Sequence, residues 1–234
     1  MFETEVCEGV LQVCRPSTLW LSSGWQGGTQ QGATAYNISV PEGWDRQDLD
    51  SYVRERQERA GFYREGPTLL TGVNLSHARG ARYGPVTVYA TAGVSNPGVL
   101  PSEPPASSQS DATKEPDTDG GTVNLIVGSE RALGDGALAN LLAVVVEAKT
   151  ATLLAETGFP GTTTDAVIVG CDPNGQPAQY SGTATPVGAA ARACTRDALL
   201  ASLGSRYPNS EYPATLEDAE YGVQTTVMPD VFTV

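Results

Sequence analysis

Thr122-Val123-Asn124-Leu125-Ile126-Val127 is the stretch that decides the fold, because a short apolar run of this kind predicts a buried strand. The following segment, Asp135 to Glu156, carries apolar side chains on two stripes at helical spacing. It predicts a helix that is apolar nearly all round and is therefore largely buried. We predict a layered α/β (α+β) sandwich, in which a mixed β-sheet packs against this largely buried central helix.

Further elements are expected on both sides of this unit. The predicted strands are Glu5 to Val13 as a hairpin around Gly9, Thr18 to Leu21, Ala33 to Val40, Thr68 to Asn74, Val86 to Ala92 and Ala166 to Cys171, the last followed by a turn at Asp172 to Gly175. The predicted helices are Asp45 to Ala60 and Val187 to Leu203.

One segment, 98–121, breaks the globular pattern with prolines, a serine cluster and acidic residues. It predicts a flexible surface loop, which could join two strands of one sheet or two domains. We favour an insertion in a single domain, 1–205, because the N-terminal part has little helix with which to cover a sheet. Residues 206–234 form an acidic, proline-punctuated tail to which the sequence assigns no function.

The charge balance limits the possible partners. Asp and Glu outnumber Lys and Arg by 27 to 14, for a net charge of −13, so nucleic acid is excluded as a partner. Only two of the basic residues are lysines, Lys114 and Lys149. This acidic, lysine-poor composition favours adaptation to high salt; the alternative is an ordinary acidic cytosolic protein.

We expect a cytoplasmic protein without a membrane span. The longest apolar run, Leu138 to Val146, is far shorter than the roughly 20 residues a span needs, and the N-terminus has no signal pattern. The four cysteines lack C-x-x-C spacing and receive no chemical role. His77 is the single histidine, which excludes a histidine-rich zinc site. It is more typical of a polar loop histidine than of a catalytic base.

The candidate catalytic side chains come from the predicted long helix and from the loop that follows it. Gly161-Thr162-Thr163-Thr164-Asp165 offers three hydroxyls, backbone N–H groups and a carboxylate before a strand, although the same residues could form a plain turn. Glu147 and Lys149 are predicted to be buried, where ionisable groups need partners. Two residues apart on a helix, they point about 160° away from each other, so they are not expected to act on one atom.

The ordered series of motifs resembles the adenosylcobinamide amidohydrolase family. The motifs that carry the resemblance are Leu21 to Ser23 with Gly27-Gly28, Thr91 to Asn96, Gly121 to Val127, Gly136 to Leu138, Glu147 to Lys149, Gly161 to Asp165 and Tyr180 to Gly188. The resemblance covers most of the chain from about Val10 to Leu203. It implies an archaeal corrinoid-salvage enzyme that removes aminopropanol from adenosylcobinamide by amide hydrolysis, with the cobalt-containing corrinoid as substrate rather than cofactor.

Chemistry suggests the roles of individual residues. We hypothesise that Thr163 or Thr164 faces the scissile carbonyl, that Asp165 orients water or a metal, and that Lys149 or Glu147 handles protons. No metal ligands and no cofactor are assigned, and the oligomeric state is open. A glycine-rich turn after Leu21 and three asparagines complete the site as candidate substrate-binding residues. These are Ser22, Ser23, Trp25, Gly27, Gly28, Asn74, Asn96 and Asn124.

Two alternatives to this function remain. The first is a corrinoid-binding module without turnover, in which the glycine-rich turn and the loops grip the macrocycle. The second is a self-processing hydrolase that uses a threonine freed by cleavage within Gly161 to Thr164.

Overall fold

The computed structural model describes residues 1–41, 48–102, 121–209 and 211–234. Its strands are β1 (Glu3–Cys7), β2 (Val10–Ser22), β3 (Gly28–Ser39), β4 (Thr68–Thr71), β5 (Arg79–Tyr83), β6 (Val86–Ala92), β7 (Gly98–Val99), β8 (Val123–Ala132), β9 (Ala166–Pro177) and β10 (Val223–Gln224). Its α-helices are α1 (Leu49–Arg59), α2 (Asp135–Thr157) and α3 (Pro186–Arg206), and Leu75–His77 forms one 3-10 turn.

Eight of these strands form one mixed sheet. Seven follow the order β4-β3-β2-β9-β8-β6-β5, and β1 pairs with the first half of β2. The β8–β9 and β3–β4 pairs are parallel, and the other pairs in this sheet are antiparallel. A parallel pair needs a crossover connection, which α2 supplies between β8 and β9. The strand and helix that decided the prediction are therefore two parts of one β-α-β unit.

The sheet folds over on itself at a bend in β2. Its register against β3 shifts between Cys14 and Thr18, and Ser17 has a positive φ of 57°. Trp20 fills the space enclosed by the bend and packs edge-on against Phe2, at 5.8 Å between ring centroids. Gly170 leaves room for the Trp20 ring, because a Cβ there would lie 2.3 Å from it. The outer strands thus cover one face of the sheet.

Helices α2 and α3 cover the other face and enclose the largest apolar cluster. One side of α2, including Leu138, Leu141, Val145 and Leu153, is buried. Leu154, on the opposite side of the helix, is 47% exposed. The predicted layered α+β architecture with a mixed sheet is confirmed. The central helix buries one face against the sheet and α3, and its other face is exposed.

Helix α2 is also, within the described ranges, the one helix long and apolar enough to cross a membrane by length and composition. Half of its most apolar window is buried inside the fold. A core helix passes the same test, so this composition is accounted for by packing against the sheet.

Several predicted boundaries differ from the structure. The turn expected at Asp172 to Gly175 does not end the strand: β9 continues to Pro177, and these residues form a bulge at which its register against β8 shifts. Gly175 allows this, since a Cβ there would lie 2.1 Å from the carbonyl oxygen of Glu130. Strand β2 unites two predicted strands. The predicted start of the first helix and most of the 98–121 insertion lie outside the described residues.

Candidate functional site

The candidate site lies at one end of the sheet, where β8 and β9 begin and β6 ends. Asp165 directly precedes β9, and Lys149 reaches the same end because α2 runs back along the sheet after β8. Parallel α/β sheets usually place ligands at the carboxyl ends of their strands, so this site uses the opposite end of the β8–β9 pair.

Lys149 and Asp165 form an ion pair that is largely withdrawn from solvent. Nζ of Lys149 contacts Oδ2 of Asp165, and the two side chains are only 9% and 11% exposed. Asp165 also accepts hydrogen bonds from the backbone N–H of Val123, at 3.0 Å, and from the N–H and hydroxyl of Thr162. With so many donors engaged, the carboxylate is suited to holding Lys149 and the loop in place rather than to accepting protons.

Gly161 makes this close approach possible. A Cβ at position 161 would lie 2.5 Å from Oδ2 of Asp165 and 2.8 Å from Nζ of Lys149. Real Cβ atoms essentially never come that close to another heavy atom, so a side chain here would intrude on the ion pair. The glycine at the head of the Gly161 to Asp165 motif is therefore required by the geometry of the pair.

Thr163 is oriented by Asn96, which is fully buried. Nδ2 of Asn96 donates to Oγ1 of Thr163 at 2.8 Å, and the N–H of Thr163 donates to the carbonyl oxygen of Asn96 at 3.1 Å. Because Oγ1 accepts a hydrogen bond from Asn96, the hydroxyl of Thr163 can donate its proton to another acceptor. Among the described residues, Oδ1 of Asn96 is buried without a hydrogen-bond partner.

The hydroxyl of Thr164 and two backbone N–H groups of the loop also have hydrogen-bond partners within the protein. Oγ1 of Thr164 lies 2.8 Å from Oγ1 of Thr122, and the N–H groups of Thr162 and Thr163 are both used in hydrogen bonds. The loop therefore holds Asp165, which pairs with Lys149, together with Thr163 and Thr164, whose side chains bond to Asn96 and Thr122. The N–H groups of Thr162 and Thr163 are not free to bind an oxyanion.

Glu147 is not brought to this cluster. Its predicted burial is wrong: the side chain is 64% exposed and pairs with Arg192 of α3 at 3.2 Å. The physical reason is helical geometry, since two positions correspond to a rotation of about 200°. Once Lys149 faces inward, Glu147 must face solvent.

The glycine-rich turn adjoins the cluster through Ser23. The N–H of Ser23 donates to the carbonyl oxygen of Val167 at 2.9 Å, and its Oγ accepts from the N–H of Val167 at 3.0 Å. Oγ of Ser22 accepts from the N–H of Gly24 and stabilises the turn itself. Two residues beyond Ser23, the side chain of Trp25 lines a cavity of 520 Å³.

Glycines give the turn its shape. A Cβ at Gly27 would lie 2.4 Å from the carbonyl oxygen of Ser22, and Gly28 has a φ of +106°. Gln26 between them also has a positive φ, of 47°, which is uncommon for a residue with a side chain. Backbone strain of this kind is frequent at ligand-binding sites.

Three other candidates have structural partners away from the ion pair. Oδ1 of Asn74 caps the 3-10 turn through the N–H of Ser76. Asn124 is buried beneath the folded sheet, where its Nδ2 donates to Asn37 and to the carbonyl oxygen of Leu70. Nδ1 of His77 lies 3.1 Å from Oγ of Ser205.

Sequence reasoning assigned no role to Thr122 and Val123, which hold Thr164 and Asp165 in place. A contact through a backbone N–H leaves no signature in a single sequence. Thr122 could have been proposed only from its place at the start of the buried strand.

Three residues of the Tyr180 to Gly188 motif, Ser181, Thr185 and Gly188, have structural contacts. Oγ1 of Thr185 caps α3 by accepting from the N–H of Gly188, and a Cβ at Gly188 would lie 2.1 Å from the carbonyl oxygen of Gly182. Oγ of Ser181 donates to the carbonyl oxygen of Ala137 near the start of α2. The motif thus fixes how α2 and α3 meet.

The described parts of the chain contain no group of three or more His, Cys, Asp or Glu side chains that could hold a metal ion. Burial raises the pKa of the Cys171 and Cys194 thiols, which makes both poor nucleophiles.

The fold and the site define an α+β protein with a largely buried lysine–aspartate pair and, in the same loop as the aspartate, a threonine held by a buried asparagine. Side chains of these kinds are suited to proton transfer at a polar bond. Comparison with known proteins identifies the family within this class. The chain belongs to the adenosylcobinamide amidohydrolase family, whose sequence profile matches residues 3–211.

Two relatives carry the same description. An adenosylcobinamide amidohydrolase of Halobacterium salinarum is 52% identical over 234 residues, which is 99% of each chain. One of Methanosarcina mazei is 30% identical over 179 residues, covering 72% of this chain and 81% of the relative. The similarity to a halophile's protein agrees with the acidic, lysine-poor composition.

Proposed function

We propose that this protein hydrolyses the amide bond that joins aminopropanol to the corrinoid in adenosylcobinamide, giving adenosylcobyric acid. Its membership of the family and the full-length similarity to the Halobacterium salinarum amidohydrolase support the substrate. The withdrawn Lys149–Asp165 pair, with Thr163 in the same loop as Asp165, is the observation on which the proposed chemistry rests. The relatives' description favours the hydrolase over a binding module without turnover.

In the proposed mechanism, water adds to the carbonyl carbon and the C–N bond then breaks. The hydroxyl of Thr163, oriented by Asn96, donates to the carbonyl oxygen as negative charge develops on it. The Lys149 ammonium donates a proton to the leaving nitrogen as the C–N bond breaks, so that this nitrogen departs as an amine. The proton that the added water loses then restores the ammonium. Asp165 holds Lys149 and the loop, and Glu147 takes no part.

Incubation of the purified protein with adenosylcobinamide tests this function directly. In molar KCl we expect conversion to adenosylcobyric acid, detected by mass spectrometry. Unchanged adenosylcobinamide together with a shifted corrin absorption spectrum would instead favour the binding module. An intact mass equal to that of the full chain is expected, and a chain cleaved within Gly161 to Thr164 would favour the self-processing hydrolase.

The cavity beside Trp25 is proposed as the second wall of the substrate site. Its lining combines the indole with amide and charged side chains, including Gln26, Gln57 and Arg54. An aromatic face and amide groups suit a substrate that is itself a large ring system bearing amides and a nucleoside. Ser23 connects this wall to the strand that follows Asp165.

Trp25→Ala is expected to raise KM about tenfold or more and to leave kcat nearly unchanged. Stacking on an aromatic side chain contributes about 1–3 kcal/mol, and losing a contact made equally in the ground and transition states changes KM alone. Steady-state kinetics with adenosylcobinamide measure both constants. Tyr83→Ala, which removes a 71% exposed ring at the sheet edge, is the matched control. An unchanged KM in Trp25→Ala would remove Trp25 from the site.

We also propose that the protein works in a salt-rich cytoplasm. Self-repulsion among carboxylates at a net charge of −13 destabilises the folded state in dilute buffer, and salt screens it. The Tm is therefore expected to be higher in molar KCl, by about 2–4 °C for each kcal/mol gained. Thermal melts in both buffers measure this, and equal Tm values would contradict it.

A further inference from the structure

The C-terminal segment returns to the site and pairs with residues 95–99. The backbone N–H groups of Tyr221, Val223 and Thr225 donate to the carbonyl oxygens of Ser95, Pro97 and Val99, at 3.2, 2.9 and 2.9 Å. Strands β7 and β10 are the regular part of this pairing. Residues 221–225 lie beyond the 3–211 that the family profile matches.

Residues 95–99 contact the loop Gly161 to Asp165, called here the catalytic loop, on their other side. The N–H of Gly98 donates to the carbonyl oxygen of Gly161 at 3.0 Å, and the carbonyl oxygen of Asn96 accepts from the N–H of Thr163. Residues 95–99 thus form the middle of a three-stranded backbone ladder. The carbonyl oxygens of residues 95, 97 and 99 accept hydrogen bonds from the C-terminal segment. Asn96 and Gly98, which alternate with them, bond to the catalytic loop.

We propose that residues 221–225 act as a clasp that positions Asn96, and through Asn96 the hydroxyl of Thr163. The inference rests on the proposed function, because it assigns Thr163 to the reacting carbonyl. Val223 is a positioning residue: its N–H forms the central bond of the clasp and does not touch the substrate. Asn96 depends on this support, since its buried side chain makes one hydrogen bond, to Thr163, within the described residues.

Proline substitutions separate the clasp from general effects on the tail. Val223→Pro removes the N–H that binds Pro97, whereas Gln224→Pro removes one that points away from residues 97–99. Val223→Ala keeps the N–H and controls for the lost side chain. All three variants are made in the full chain and assayed with adenosylcobinamide in molar KCl.

We expect Val223→Pro to lower kcat roughly 10- to 100-fold, because a small misplacement of a reacting group costs up to about 10²-fold. KM should change less than threefold, and Gln224→Pro and Val223→Ala should keep the wild-type kcat. Hydrogen–deuterium exchange should show faster uptake in peptides covering 95–99 and 161–165 for Val223→Pro only. A wild-type kcat in Val223→Pro would overturn the proposal.

A double variant tests the route through Asn96. If the clasp acts through Asn96, Asn96→Ala with Val223→Pro should be no slower than Asn96→Ala alone, because both remove the same support. Additive losses would overturn that route. Failure of the proposed function can be distinguished from failure of the clasp. If the proposed function is wrong, the wild-type protein leaves adenosylcobinamide unchanged. Hydrogen–deuterium exchange in Val223→Pro still reports whether the clasp orders residues 161–165.

Discussion

Lys149→Met is expected to lower kcat by about 10²–10⁴-fold, the usual contribution of a positioned proton-transfer group. Methionine approximates the length and apolar stem of lysine, so the packing of α2 is kept while the ammonium is lost. Steady-state kinetics with adenosylcobinamide in molar KCl measure the effect. Turnover at the wild-type rate would exclude Lys149 from the mechanism.

Stability must be measured beside activity, because the same change leaves Asp165 without its cation. Breaking a buried ion pair typically costs about 3–5 kcal/mol, and the three other donors to Asp165 should keep the loss near the lower end. Adding Asp165→Asn removes the uncompensated charge. We expect the double variant to regain stability without regaining activity, whereas a purely structural pair would recover both.

Glu147→Gln supplies the comparison on the same helix. Its exposed pair with Arg192 is expected to contribute at most about 1 kcal/mol, and kcat should stay at the wild-type value. A large loss of kcat in Glu147→Gln, with the fold intact, would return Glu147 to the mechanism.

Local pattern was sufficient to predict the two strands and the helix of the β-α-β unit, but not the parallel pairing of the strands. The apolar run that ends at Val127 and the helical stripes after Asp135 are short-range signals; α2 follows its prediction closely, and β8 continues five residues beyond Val127 to Ala132. The fold-over of the sheet at β2 could not be predicted in the same way. It depends on contacts distant in sequence, such as Phe2 against Trp20 and Asn124 against Leu70.

Side-chain identity indicated that Lys149, on an apolar stripe, needs a buried partner, but it did not show which one. Asp165, which was expected to orient water or a metal, is that partner in the structure. Glu147 looked equivalent because periodicity cannot show which of two stripes faces the sheet. The clasp was invisible for another reason: its hydrogen bonds join backbone groups, which every residue except proline offers in full.

Gly161→Ala is expected to lower kcat at least about 100-fold while the protein stays folded. The new Cβ would lie 2.5 Å from Oδ2 of Asp165 and 2.8 Å from Nζ of Lys149, so the two charged groups must separate. Both atoms end side chains that can swing aside, and the stability cost should therefore stay near the lower end of the 1–3 kcal/mol typical of overpacking. Proton transfer has no such tolerance, since it requires the lysine at hydrogen-bond distance from the reacting atoms.

Gly136→Ala is the matched control for this substitution. Gly136 lies in the first turn of α2, and a Cβ there meets nothing within 4 Å. Alanine should stabilise the helix by up to about 1 kcal/mol and leave kcat unchanged. Kinetics and thermal melts are measured for both glycine variants. A loss of kcat in Gly161→Ala alone is due to displacement of the ion pair, whereas a loss in both variants would reflect a general effect of replacing glycine by alanine. A folded Gly161→Ala variant with wild-type kcat would show that the Lys149–Asp165 contact is dispensable for turnover, because its geometry would have changed without consequence.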